Sequence, residues 1–149
     1  MIALGCDHGG YALKEAIKNH LKNKNISFTD FGTNSADSVD YAVYAQKVAD
    51  VVKDGEATYG ILVCSTGIGI SMAANKVESI RAALCMNEFC AEMTRRHNNA
   101  NVLCLGGMVV QEEEALNIVD KFLTSEFEGD RHTRRINQIA DIENGKKLY

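Results

Sequence analysis

The chain has 149 residues, of which 46% are hydrophobic and 24% charged, with a formal net charge of −4; this is the size and composition of one globular domain and argues against disorder. No apolar run approaches the roughly 20 residues that cross a bilayer, and Met1 opens a strand-like stretch with no basic leader. A mildly acidic chain also offers no general field for a polyanion, so membrane insertion, secretion and nucleic-acid binding are all disfavoured.

Residues 2–6 form the first of five short apolar runs; the others are 26–31, 61–64, 81–85 and 102–105. Each is bounded by Gly, Asn, Asp or charged residues, as expected of strands buried on both faces. Helical spacing fills the intervals. Leu13, Ala16, Ile17 and Leu21 share a face after Gly9-Gly10, and Tyr41, Tyr44, Ala45, Val48, Val51 and Val52 share another. A third helix is expected to start near Gly69, a fourth to span 88–96, and a fifth to bury Ala115, Leu116, Val119, Phe122 and Leu123. The last, from 131 to about 143, has a narrow apolar side (Ile136, Ile139, Ala140) suited to packing on a partner subunit. Strands alternating with helices predict one α/β domain over 1–149, a three-layer sandwich around a five-stranded parallel sheet. The five cysteines are odd in number and lack CxxC spacing, which fits a reduced, cytoplasmic protein. Cys6, Cys85, Cys90 and Cys104 are expected to be small core residues, and His20 a surface residue.

Ligands of open parallel sheets bind beyond the carboxyl ends of the strands, where the strand order reverses. With the order 2-1-3-4-5, that crevice lies between the loop Cys6-Asp7-His8-Gly9-Gly10 and the loop Cys64-Ser65-Thr66-Gly67-Ile68-Gly69-Ile70-Ser71. The second loop brings backbone N–H groups and a helix start to one place, a nest for a phosphate or an oxyanion. It has neither Walker nor GxGxxG spacing, and tight strand-to-helix packing alone also selects such glycines. Cys64 faces that helix start, where the thiolate form is favoured and can act as a base, or it is a plain core residue. Asp7-His8 can hold hydroxyls or a phosphate, or Asp7 can cap a helix. No HxH, HExxH or carboxylate cluster accompanies the pair, so no metal is expected.

His97-Asn98-Asn99 follows the fourth helix and enters the fifth strand. A simple helix cap with a left-handed Asn accounts for the pattern. A catalytic His97, lying at the amino edge of the sheet, would instead serve the site of a neighbouring chain. Arg131, Arg134 and Arg135 share one helix face and suit a phosphate, though a solvated basic face is commoner.

Four segments resemble the type B ribose-5-phosphate isomerases and their allose- and galactose-6-phosphate relatives: Gly5-Cys6-Asp7-His8-Gly9-Gly10; Cys64 to Ser71 with Ala73-Ala74-Asn75-Lys76; Arg96-His97-Asn98-Asn99-Ala100-Asn101-Val102-Leu103; and Glu128-Gly129-Asp130-Arg131-His132. They occur in family order over essentially the whole chain. The resemblance implies a Rossmann-like fold, a homodimer or dimer of dimers with shared active sites, and no cofactor or metal. It further implies interconversion of ribose 5-phosphate and ribulose 5-phosphate in the pentose phosphate pathway. By position, Cys64 matches the base that moves the proton between C1 and C2, and His97 the group that opens the furanose. Asp7 would hold sugar hydroxyls, with His8 near the phosphate. The amides of Ser65, Thr66, Gly67, Ile68 and Gly69, with the Thr66 side chain, would steady the enediolate. Asn98 would touch the substrate, and Arg131 and Arg135 would hold its phosphate. Some relatives use a glutamate of this loop, but residues 65–71 contain no carboxylate. Many carry an arginine where this chain has Met108, which loosens the expected preference for a five-carbon sugar. A phosphosugar sensor without chemistry and a flavodoxin-like module are the competing functions; the latter is disfavoured by the missing nucleotide fingerprints.

Overall fold

The computed structural model describes all of residues 1–149. Five parallel strands, β1 (Ile2–Cys6), β2 (Phe28–Asp30), β3 (Tyr59–Cys64), β4 (Ala82–Leu84) and β5 (Val102–Gly106), form one sheet. Six helices accompany them: α1 (Tyr11–Asn23), α2 (Tyr41–Lys53), α3 (Ile68–Ala74), α4 (Glu88–Asn98), α5 (Glu112–Thr124) and α6 (Arg131–Glu143).

The strand order is β2-β1-β3-β5-β4, which corrects the expected 2-1-3-4-5. Burial explains the exchange. Every residue of β5 is buried, whereas the three residues of β4 are only half-buried, so the more apolar Val-Leu-Cys-Leu run takes the interior position and Ala-Ala-Leu the edge. The outer side of β4 is not left open. The Asn75 amide pairs with it like a short strand, accepting from Ala82 N–H at 2.8 Å and donating to Ala82 O at 2.8 Å, which blunts an edge otherwise available for pairing.

Alternate residues along each strand feed the two cores. Leu4, Ile61, Val63, Leu103 and Leu105 pack with Leu13, Ile17, Ile118 and Phe122 of α1 and α5. On the other face Ala3, Leu62, Cys64 and Cys104 pack with Val48 and Ala49 of α2 and Ile70 of α3. This assignment follows from right-handed crossovers: connections that step one way across the sheet lie on one face, and those that step back lie on the other.

Several side chains depart from expectation. Lys14 is 1% exposed, its ammonium bound to Asp30 at 2.6 Å and donating to Thr33 O at 2.8 Å. It ties α1 to the segment after β2, whose Thr33 N–H in turn donates to Cys6 O. His20 is largely covered, contacting Asp120 at 2.9 Å across α1 and α5. Cys90, expected in the core, is exposed at the start of α4. Tyr41, expected on the buried face of α2, is 43% exposed. No helix is long and apolar enough to cross a membrane.

Burial pushes the Cys6 thiol up to about 11 and the Cys85 thiol up to about 12, and it raises Cys104 as well. The unfolded chain therefore loses these protons at lower pH than the native one, so the contribution is complete below about pH 9 and fades as pH climbs toward the folded values. The urea midpoint is expected to fall steadily above pH 9. A Cys85→Ala, Cys104→Ala double variant should show a shallower decline; an identical slope would refute the attribution.

Candidate active site

Connections diverge at β1 and β3, one leading out to β2 and the other to β4, and this opens the crevice at their carboxyl ends. Because β5 sits beside β3, the loop after β5 forms a third wall. Gly107 N–H donates to Cys64 O at 2.8 Å, Met108 N–H to Ser65 O at 2.9 Å, and Asp7 N–H to Val63 O at 3.2 Å. The walls are close: a Cβ on Gly10 would stand 2.3 Å from the backbone oxygen of Val63, so only glycine fits there.

Cys64 ends β3 and is 4% exposed. Gly67, left-handed at φ +76°, turns the chain into α3 and aims its N–H at the Cys64 sulfur, 3.0 Å away. That hydrogen bond fixes the sulfur against the turn, at the start of α3. Exposed Thr66 accepts from Ile68 N–H at 3.3 Å through Oγ1. Asp7 is buried, and its Oδ1 accepts from Gly10 N–H at 3.1 Å. It thus caps a short 3₁₀ turn, and this bond fixes the carboxylate at the end of β1. Exposed His8 accepts from Val39 N–H through Nδ1 at 3.2 Å, which leaves Nε2 carrying the proton of the neutral ring. The ring of Tyr41 lies over Gly69, within 2.7 Å of where a Cβ would stand. Its helical periodicity points to a core position, and only the close approach of α2 to this turn reveals Tyr41 as a rim residue.

The remaining sequence-identified residues gather elsewhere. The fourth helix runs through Asn98, so His97 and Asn98 occupy its last turn rather than follow it, and Asn99 caps it at φ +46°. His97 stacks on the buried His132 of α6, with centroids 4.2 Å apart and planes 5° apart. Glu128 Oε2 lies 3.7 Å from His97 Nε2 and 3.5 Å from His132 Nε2. The Arg96 guanidinium binding Glu128 holds that carboxyl below its usual range. Burial first, then the positive surroundings of His97, Arg131 and Arg135, pushes His132 below the ordinary imidazole value. His132 Nε2 is buried without a hydrogen-bond partner, and Arg131 and Arg135 are exposed nearby, so this end is suited to an anion. Ligand atoms of His97, Glu128 and His132 lie within 4.8 Å of one another. Stacked rings direct their in-plane lone pairs side by side rather than at one point, so the cluster as arranged does not match a metal's geometry.

Asp7, His8, Cys64 and Ser65 to Gly69 therefore come together at the carboxyl edge, while His97, Asn98, Arg131 and Arg135 lie at the amino edge. Between the two edges runs β5, a five-residue strand about 15 Å long. Within one chain the two groups stand apart, at opposite edges of the sheet.

The ribose/galactose isomerase family matches residues 2–139. The chain is similar to ribose-5-phosphate isomerase B of Escherichia coli, with 46% identity over 142 residues covering 95% of each chain. Among solved structures it resembles the Clostridium thermocellum ribose-5-phosphate isomerase B (TM-score 0.96, 51% identity, 97% of each chain). It also resembles that of Mycoplasma genitalium with bound ribulose-5-phosphate (TM-score 0.91, 46% identity, 96% of this chain and 95% of that one).

Proposed function

The chain belongs to the ribose/galactose isomerase family, and from that premise we propose how its residues carry out the family's chemistry. The protein is an aldose–ketose isomerase that interconverts ribose 5-phosphate and ribulose 5-phosphate.

The observation that carries the site is the Gly67 amide directed at Cys64 Sγ. Cys64 as thiolate takes the C2 proton of the open aldehyde, and the resulting enediolate is held by the amides of the Ser65–Gly69 turn with Thr66. The thiol returns the proton to C1 while the hydroxyl proton on O2 passes to O1, which completes the ketose. Preorganised donors of this kind contribute about 3–4 kcal/mol each. Asp7 holds sugar hydroxyls and His8 sits toward the phosphate.

The second half of the site comes from a neighbouring chain in a homodimer. His97 opens the furanose, Asn98 contacts the sugar, and Arg131 and Arg135 grip the phosphate. Support comes from the two half-sites at opposite sheet edges and from apolar side chains open to solvent beside each. Ile68, Met72, Phe89 and Met108 flank the Cys64 half, and Ile139 and Ile142 belong to the helix of the His97 half. The whole chain acts as one domain in this scheme. Five free cysteines support a reducing, cytoplasmic setting, and the mechanism calls for no metal or cofactor.

Met108, 78% exposed on the wall bonded to Ser65, favours a second, broader reading that includes hexose 6-phosphates such as allose 6-phosphate. A panel of aldose phosphates and free aldoses, assayed side by side for ketose formation, separates the two. Ribose 5-phosphate is expected to give the highest kcat/KM, with measurable turnover of allose 6-phosphate. A phosphosugar that binds but gives no ketose with any substrate would sink the isomerase assignment.

A further inference from the structure

We propose that Arg81 and Arg95 form a two-guanidinium clamp that positions His97 and Asn98 for opening the furanose, an inference that rests on the shared-site reading above. Arg81 precedes β4 and donates through Nε to Asn98 O at 3.1 Å and through Nη2 to Asn99 O at 3.0 Å. Arg95, one turn before the end of α4, donates through Nη1 to Asn99 Oδ1 at 2.8 Å and to Ala100 O at 2.6 Å. Its Nη2 donates to the Tyr59 hydroxyl at 2.7 Å, and its Cζ lies 4.5 Å from the Tyr59 ring centroid. The two side chains thus take the carbonyls of Asn98, Asn99 and Ala100, consecutive groups of the turn that presents His97.

The chemistry of the clamp is unusual for a purely structural element. Arg95 is 5% exposed, its Nε has no hydrogen-bond partner, and neither arginine has an ion-pair contact with a carboxylate. A buried cation without an anion is costly, and an apolar side chain of similar volume is often as stable or more so. Cation–π contact and the carbonyl-rich end of a helix offset part of that cost. The ordinary helix ending is already in place without the arginines: Asn99 N–H returns to Arg95 O, and Ala100 N–H to Thr94 O, each at 3.1 Å. What the guanidiniums add is a fixed orientation of the last turn. A proton-transferring group that must reach another subunit's substrate needs that precision, since small misplacements lower rate strongly.

The test separates ring opening from isomerisation. Ribose 5-phosphate exists mostly as a furanose, whereas ribulose 5-phosphate is open-chain because its C5 hydroxyl is esterified. Arg95→Met and Arg81→Met are expected to lower kcat from ribose 5-phosphate about tenfold or more, with kcat from ribulose 5-phosphate kept within about threefold and the melting temperature held. His97→Ala, run alongside, should show the same split. Parallel decline in both directions, or no decline, would overturn the clamp; should Arg95→Met fail to fold, Arg81→Met alone decides. A split in His97→Ala without one in the arginine variants removes only the clamp. Unchanged aldose turnover in His97→Ala removes the role of His97, and the clamp with it.

Discussion

Replacing Cys64 with alanine is expected to lower kcat for ribose 5-phosphate by about 10³-fold, the middle of the range for a positioned general base. The sulfur ends β3 under the Gly67 amide, and residues 65–71 offer no carboxylate that could take over the proton. Asp7 is the nearest alternative on the adjoining loop, but its Oδ1 is engaged by Gly10 N–H, which holds it at the end of β1. On the proposed shared site KM should move little, because Arg131 and Arg135 of the neighbouring chain, not Cys64, would grip the phosphate. Loss of one buried sulfur costs about 1 kcal/mol, a fall of only a few degrees in melting temperature for a chain of this length. Steady-state kinetics beside a thermal melt make the comparison. A folded variant with wild-type turnover would require another base.

The residues that made this legible in the sequence are those whose surroundings are local. β1, β3 and β5 stand where continuous apolar runs placed them because burial on both faces selects for such runs. β2 and β4 are shorter than the runs that announced them, since edge positions leave the ends of an apolar segment without a partner. The order of β4 and β5 depends on which of two apolar runs buries better, and the weak Ala82-Ala83 pair was the available clue. Lys14 gave no sign of burial: its partner Asp30 is 16 residues away, and in sequence it is an ordinary helix lysine. Arg95 was hidden in the same way, one of two adjacent arginines of which Arg96 is partly open and Arg95 is covered. The candidate site was readable as two loops and two motifs because each carries its chemistry within a few residues. That His97 ends up on the opposite sheet edge from Cys64 followed from strand direction alone and survived the error in strand order, since both orders put the start of β5 at the amino edge.

Mixing Cys64→Ala protein with His97→Ala protein, both impaired on ribose 5-phosphate, followed by subunit exchange, is expected to restore activity on that substrate. In a dimer whose two sites each draw Cys64 from one chain and His97 from the other, the mixed dimer holds one site lacking both groups and one lacking neither. Random exchange of equal amounts makes half the dimers mixed, with one working site in two, so about a quarter of wild-type kcat per chain should return for a closed two-fold pair. A site built within a single chain predicts none, because each chain would remain short of one group. The size of the recovery is informative as well as its presence: a Cys64→Ala, His97→Ala double variant mixed with wild type makes mixed dimers in which each site lacks one group, so activity should fall below simple dilution. Exchange is verified by tagging one parent and isolating the hybrid, and the isolated hybrid should run at about half the wild-type rate. A tagged hybrid of proven composition with no turnover would place both groups in separate functions and return His97 to the role of a helix-end residue.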